Sequence, residues 1–71
     1  METVRSFLVM ETRTRTKMEF VDPVFALSEE EASKKAIKAL GFSYNLERNL
    51  QTRTAIEILD SLGHYIEEVK V

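Results

Sequence analysis

The chain has 71 residues, of which 44% are apolar and 31% charged, with a formal net charge of −2, two glycines, one proline and no cysteine. That length gives room for one domain, 1–71, near the size at which a core buries only ~60% of the unfolded surface. Disulfides and cysteine-ligated zinc are excluded as staples, so the fold must rest on apolar packing or on core shared with a partner.

The longest apolar run near the N-terminus is Phe7-Leu8-Val9-Met10, far short of the ~20 residues of a membrane span. Met1-Glu2-Thr3 opens acidic, unlike the basic start of a secretory leader. The expectation is a cytoplasmic protein with no membrane partner. A sequence pI near 5.4 argues against bulk binding to nucleic acid. The charge is uneven: residues 42–71 hold three basic against five acidic groups, and the rest of the chain is balanced.

Residues 3–11, rich in Val, Phe, Leu and Met, read as a strand. Phe7 and Val9 share one side of it, Leu8 and Met10 the other. Thr12-Arg13-Thr14-Arg15-Thr16-Lys17 alternates β-branched and basic residues, which favours extended chain. Residues 18–27 read as a second strand, held to an edge or a bulge by Pro23. The two form a long N-terminal β-hairpin with its tip within 12–17. Here Phe20, Val24 and Ala26 oppose Val21, Phe25 and Leu27.

Residues 28–40 read as a helix. Ser28-Glu29-Glu30-Glu31 is a capping box. Early Glu and later Lys34, Lys35 and Lys38 both suit the helix dipole. Ala32, Ala36, Ile37, Ala39 and Leu40 fall on one face, and Glu30–Lys34 and Glu31–Lys35 are spaced to pair at i,i+4. Gly41 ends the helix. The alternation of Phe42, Tyr44 and Leu46 predicts a short strand before a polar loop at 47–53.

Residues 54–62 admit two readings. As a strand, 54–59 would form a second hairpin with 64–71, giving ββαββ. As a helix, Thr54-Ala55-Ile56-Glu57 is another capping box, and Ala55, Ile56, Ile58, Leu59 and Leu62 share an arc. The strand phase leaves Leu59 on the polar side, so the helix is preferred, with 64–71 as the last strand. The fold class is then α+β, an antiparallel sheet with helices on one face.

Little here supports catalysis. The single histidine, His64, follows Gly63 and reads as a strand-start residue, and no serine sits in a nucleophile elbow. Glu29, Glu30 and Glu31 point in three helical directions and cannot converge on a metal ion. Gly41 and Gly63 both follow helices, so neither builds a phosphate cradle. No cofactor and no enzyme activity are expected.

Two features point to a binding surface. Arg13, Arg15 and Lys17 recur at period 2 and so project from one face of the ribbon. Phe7, Leu8 and Met10 belong to a strand apolar on both sides, in a chain that can cover only one. The candidate partner-binding residues are therefore Arg13, Arg15, Lys17, Phe7, Leu8 and Met10. Ala39-Leu40-Gly41-Phe42-Ser43 is similar to the turn of a helix-turn-helix, but Leu46 comes one place early for that motif and Glu47 follows it.

A hairpin followed by Ala26-Leu27-Ser28-Glu29-Glu30-Glu31-Ala32 opening a helix resembles, over residues 5–45, the layout of small phage-encoded anti-CRISPR proteins of the type I class and of short phage inhibitors of host RNA polymerase. The resemblance implies a non-enzymatic inhibitor that binds a host protein complex. It assigns no residue roles. The alternatives are a nucleic-acid-binding regulator using the basic ribbon 12–17, and a structural homodimer.

Overall fold

A computed structural model describes residues 3–14, 23–42 and 44–70. In chain order the elements are β1 (Arg5–Glu11), β2 (Val24–Ala26), α1 (Glu29–Ala39), α2 (Leu46–Asn49), α3 (Ala55–Ser61) and β3 (His64–Glu68). The strands form an antiparallel sheet in the order β2-β1-β3, so the first strand is the central one. This is an α+β fold. The preference for a helix over 54–62 holds: α3 occupies the span that the ββαββ alternative gave to a strand.

β1 pairs with β2 at Arg5–Ala26, Ser6–Phe25 and Phe7–Val24, the base of the expected hairpin. Residues 15–22 of the expected hairpin, including Arg15, Lys17, Phe20 and Val21, lie outside the described residues, as does Val71. β1 pairs with β3 from Phe7–Glu68 to Glu11–His64. The Thr12 N–H donates to the Gly63 carbonyl at 2.8 Å, which extends that ladder past the strand end.

The core lies between one face of the sheet and the helices. Phe7 and Val9 from β1 meet Val24 and Ala26 from β2, Ala32, Ala36 and Ile37 from α1, and Ile58 and Leu59 from α3. Ile66 adds a half-buried contribution from β3. Alternation along β1 sends every second side chain into this layer, and small residues on α1 fit beside the sheet.

Both longer helices form the N-cap half of their capping boxes, in which the hydroxyl accepts from the third helical N–H. The Ser28 hydroxyl accepts from the Glu31 N–H at 3.1 Å, and Thr54 Oγ1 accepts from the Glu57 N–H at 3.2 Å. Each helix is followed by a glycine at positive φ, Gly41 at 72° and Gly63 at 88°. The buried face of α1 is rotated from the expected arc. Ser33 is buried while Ala39 is exposed. The Ser33 hydroxyl donates to the Glu29 carbonyl at 2.8 Å, and that local bond lets a polar residue occupy the core side.

One expected element is replaced. Residues 42 and 44–46 are not a strand; Asn45 caps the short helix α2 instead, its Oδ1 accepting from the Arg48 N–H at 3.2 Å. Phe42, Tyr44, Leu46 and Leu50 still reach the core as half-buried side chains, so the alternation marked docking of an irregular segment.

Candidate functional site

The sheet has a second face. Side chains directly opposite in an antiparallel pair point the same way. Ser6, Leu8 and Met10 alternate with the buried Phe7 and Val9, so they face away from the helices. Their cross-strand neighbours share that face: Phe25 opposite Ser6, Glu67 opposite Leu8, Tyr65 opposite Met10. The Tyr65 hydroxyl donates to Met10 Sδ at 3.1 Å, which ties the two side chains together on it. Val69 joins them, its N–H donating to the Ser6 carbonyl at 2.9 Å.

This face is apolar at its centre. Leu8 and Met10 are half-buried and Phe25 is 54% exposed. A shallow depression of about 720 Å³ runs over it and around the β3 edge to the start of α1, lined by Leu8, Met10, Glu29, Ile66, Glu67, Glu68, Val69 and Lys70. It is open rather than enclosed, a shape suited to a surface contact more than to a small molecule.

The structure divides the expected binding residues. Leu8 and Met10 belong to the open face. Phe7 does not: it is 0% exposed, because it shares its side of β1 with Val9 under the helices, and it is removed from the candidate surface. Arg13 is exposed in the turn after β1, with Nη2 3.2 Å from Glu11 Oε1. That neighbouring carboxylate offsets its charge locally. Arg15 and Lys17 lie outside the described residues, so the basic ribbon is described only at Arg13. Phe25 and Tyr65 were not among the expected site residues. Register adds them, because each stands opposite a β1 residue whose side chain faces outward.

The other charged and aromatic side chains make local contacts. His64 Nδ1 lies 3.1 Å from the Leu62 carbonyl, and its ring sits 5.5 Å from that of Phe42. Arg5 lies over the Phe7 ring at 5.3 Å, with Nε 3.5 Å from Glu68 Oε2. The latter is an ion pair by distance only, since Arg5 Nε makes no hydrogen bond. Glu30 does not pair with Lys34 as expected. Its carboxylate accepts from the Ala55 N–H at 2.5 Å and lies 3.4 Å from the Ile56 N, so it caps α3 from across the helix pair. Glu31 does pair with Lys35, at 3.2 Å.

Among the described residues, no group of three His, Cys, Asp or Glu side chains is placed to hold a metal ion, and no helix is long and apolar enough to cross a membrane. No protein-family model, curated protein or solved structure matches this chain.

Proposed function

We propose that this protein is a non-enzymatic binding module that presents the open face of its sheet to a protein partner. The observation that carries the reading is the central strand. β1 buries Phe7 and Val9 on one side and sets Leu8 and Met10 on the other, beside Phe25 and Tyr65, and among the described residues the helices pack on the first side. Apolar side chains left on the outer face of a sheet are of the kind found at interaction sites. The layout of hairpin and capped helix, which resembles phage inhibitors of host machines, favours a host protein complex as the partner. A CRISPR effector or RNA polymerase is the class to test first.

Recognition through nucleic acid has less support. Arg13 is paired with Glu11, and the face itself carries Glu67.

The test is affinity capture from a host lysate with the unaltered protein and with Leu8→Lys side by side. The expected result is a host complex held by the unaltered chain and lost with Leu8→Lys, while circular dichroism of the variant stays native. Capture that is equal for both proteins, or capture of nothing, overturns the reading. A mobility shift on nucleic acid that is abolished by Arg13→Glu and by added salt would replace it with the regulator.

A further inference from the structure

We infer that a second copy of this chain docks along the outer edge of β3, joining the two sheets into one around a two-fold axis at Ile66. The inference goes beyond the binding-module reading and does not depend on it, because it uses the strand's edge and not the open face.

The direction of the backbone groups comes first. The Val69 N–H donates to the Ser6 carbonyl at 2.9 Å, and the Thr12 N–H to the Gly63 carbonyl at 2.8 Å. In an antiparallel ladder such bonded pairs recur at every second residue. Tyr65 and Glu67 therefore turn their N–H and C=O groups toward β1. His64, Ile66 and Glu68 turn theirs outward. Among the described residues, no backbone group bonds to this outer row.

The opposite edge of the sheet is treated differently. The same alternation leaves the backbone groups of Phe25 facing out from β2. There Lys35 Nζ donates to the Phe25 carbonyl at 2.8 Å. Continuing the register by one residue sets Pro23 opposite Leu8, where its missing N–H removes the next outward donor. Charged side chains, lysine above all, and proline are the usual means of closing an edge to further pairing. Between His64 and Glu68, β3 carries no lysine and no proline, and its charges are the two glutamates.

What β3 carries instead is self-complementary. Outward groups must meet outward groups, so an antiparallel copy can shift only in steps that keep that parity. One register aligns all five residues of the strand. Ile66 then faces Ile66 of the second copy, His64 faces Glu68, and Tyr65 faces Glu67. In the registers to one side, Glu67 meets Glu67 or Glu68 meets Glu68, and like charges directly opposite are destabilising. In the register centred on Tyr65, both carboxylates run past the strand toward the turn at Leu62 and Gly63. The two glutamates thus leave the edge open to pairing and select one alignment. At that alignment the half-buried Ile66 side chains lie side by side, with Cα atoms ~5.5 Å apart as in any hydrogen-bonded pair.

The test reads amide exchange and mass on the unaltered protein. Sedimentation equilibrium is expected to show monomer passing to dimer as concentration rises to millimolar. Over the same range, hydrogen–deuterium exchange at the His64, Ile66 and Glu68 amides is expected to slow by on the order of tenfold or more by mass action. The Tyr65 and Glu67 amides, bonded to β1 already, serve as the internal control and should not change. A chain made by synthesis with N-methyl-Ile66 loses one outward donor and no β1 bond. It is expected to stay monomeric with native circular dichroism. A monomer at every concentration overturns the inference. So does a dimer whose Ile66 and Glu68 amides exchange as freely as in the monomer, which would place the contact on the open face. Amides that are protected equally at all dilutions also overturn it, since the edge is then covered within one chain. Should N-methylation unfold the chain, the exchange data decide alone.

Discussion

At the scale of single residues, Glu30 shows how tertiary position overrides a local rule. On a helix surface Glu30 and Lys34 are spaced to pair, and the sequence carries no sign of another partner. Folding brings the start of α3 beside α1, and the Glu30 carboxylate accepts from the Ala55 N–H, 25 residues away in sequence. A carboxylate at a helix N-terminus satisfies orphan donors and meets the positive end of the dipole. The Thr54 hydroxyl serves Glu57 N–H at the same terminus. Glu30→Ala should therefore cost ~1–2 kcal/mol, the range for loss of an N-cap or of a hydrogen bond to a charged acceptor. Lys34→Ala should cost under ~0.5 kcal/mol, as for an exposed charge without a fixed partner. Urea denaturation of both variants checks the pair; equal losses would mean that Glu30 acts as an ordinary surface charge.

At the scale of elements, the two longer helices, α1 and α3, were legible because their signals are local. Ser28 and Thr54 announce the starts, and Gly41 and Gly63 the ends. A side chain at either glycine would meet nothing within 4 Å, so the cost of adding one is purely conformational. With φ at 72° and 88°, Gly41→Ala and Gly63→Ala should each destabilise by ~1–2 kcal/mol. The measurement is the shift in denaturation midpoint with an unchanged slope. A neutral Gly63→Ala would show that the turn into β3 can relax to another backbone form. The segment from Phe42 to Leu46 was misread for a related reason. Period-2 spacing of apolar residues reports which side chains dock, and a strand is one way to produce it. Here the Leu46 N–H donates to the Tyr44 carbonyl at 3.0 Å, and Arg53 Nη2 donates to the Tyr44 hydroxyl at 2.6 Å. Those bonds hold a bend that no pattern of hydrophobicity encodes. The arc of α1 likewise missed Ser33, whose hydroxyl is satisfied by its own helix.

At the scale of the molecule, the fold is governed by one central strand with two apolar sides, and the described helices pack on one of them. Alternation showed that β1 has two such sides; it could not show which the helices would take. That choice follows from where β2 leads into α1, and it sends Phe7 inward and leaves Leu8 out. The consequence is measurable. A domain of 71 residues at ~0.05–0.15 kcal/mol per residue has a stability of roughly 4–10 kcal/mol. Phe7 is fully buried among β2 and helix side chains, so Phe7→Ala should remove ~3–5 kcal/mol, about a third of that total or more. Leu8→Ala, one position along the same strand, trims a half-buried side chain on the face away from the described helices and should cost about 1 kcal/mol. Thermal melts followed by circular dichroism should show the first variant largely unfolded near 37 °C and the second close to the unaltered protein. Comparable losses at both positions would mean that the outer face is packed as tightly as the core. It would then have no apolar surface left for a partner, and the binding-module reading would fail with it.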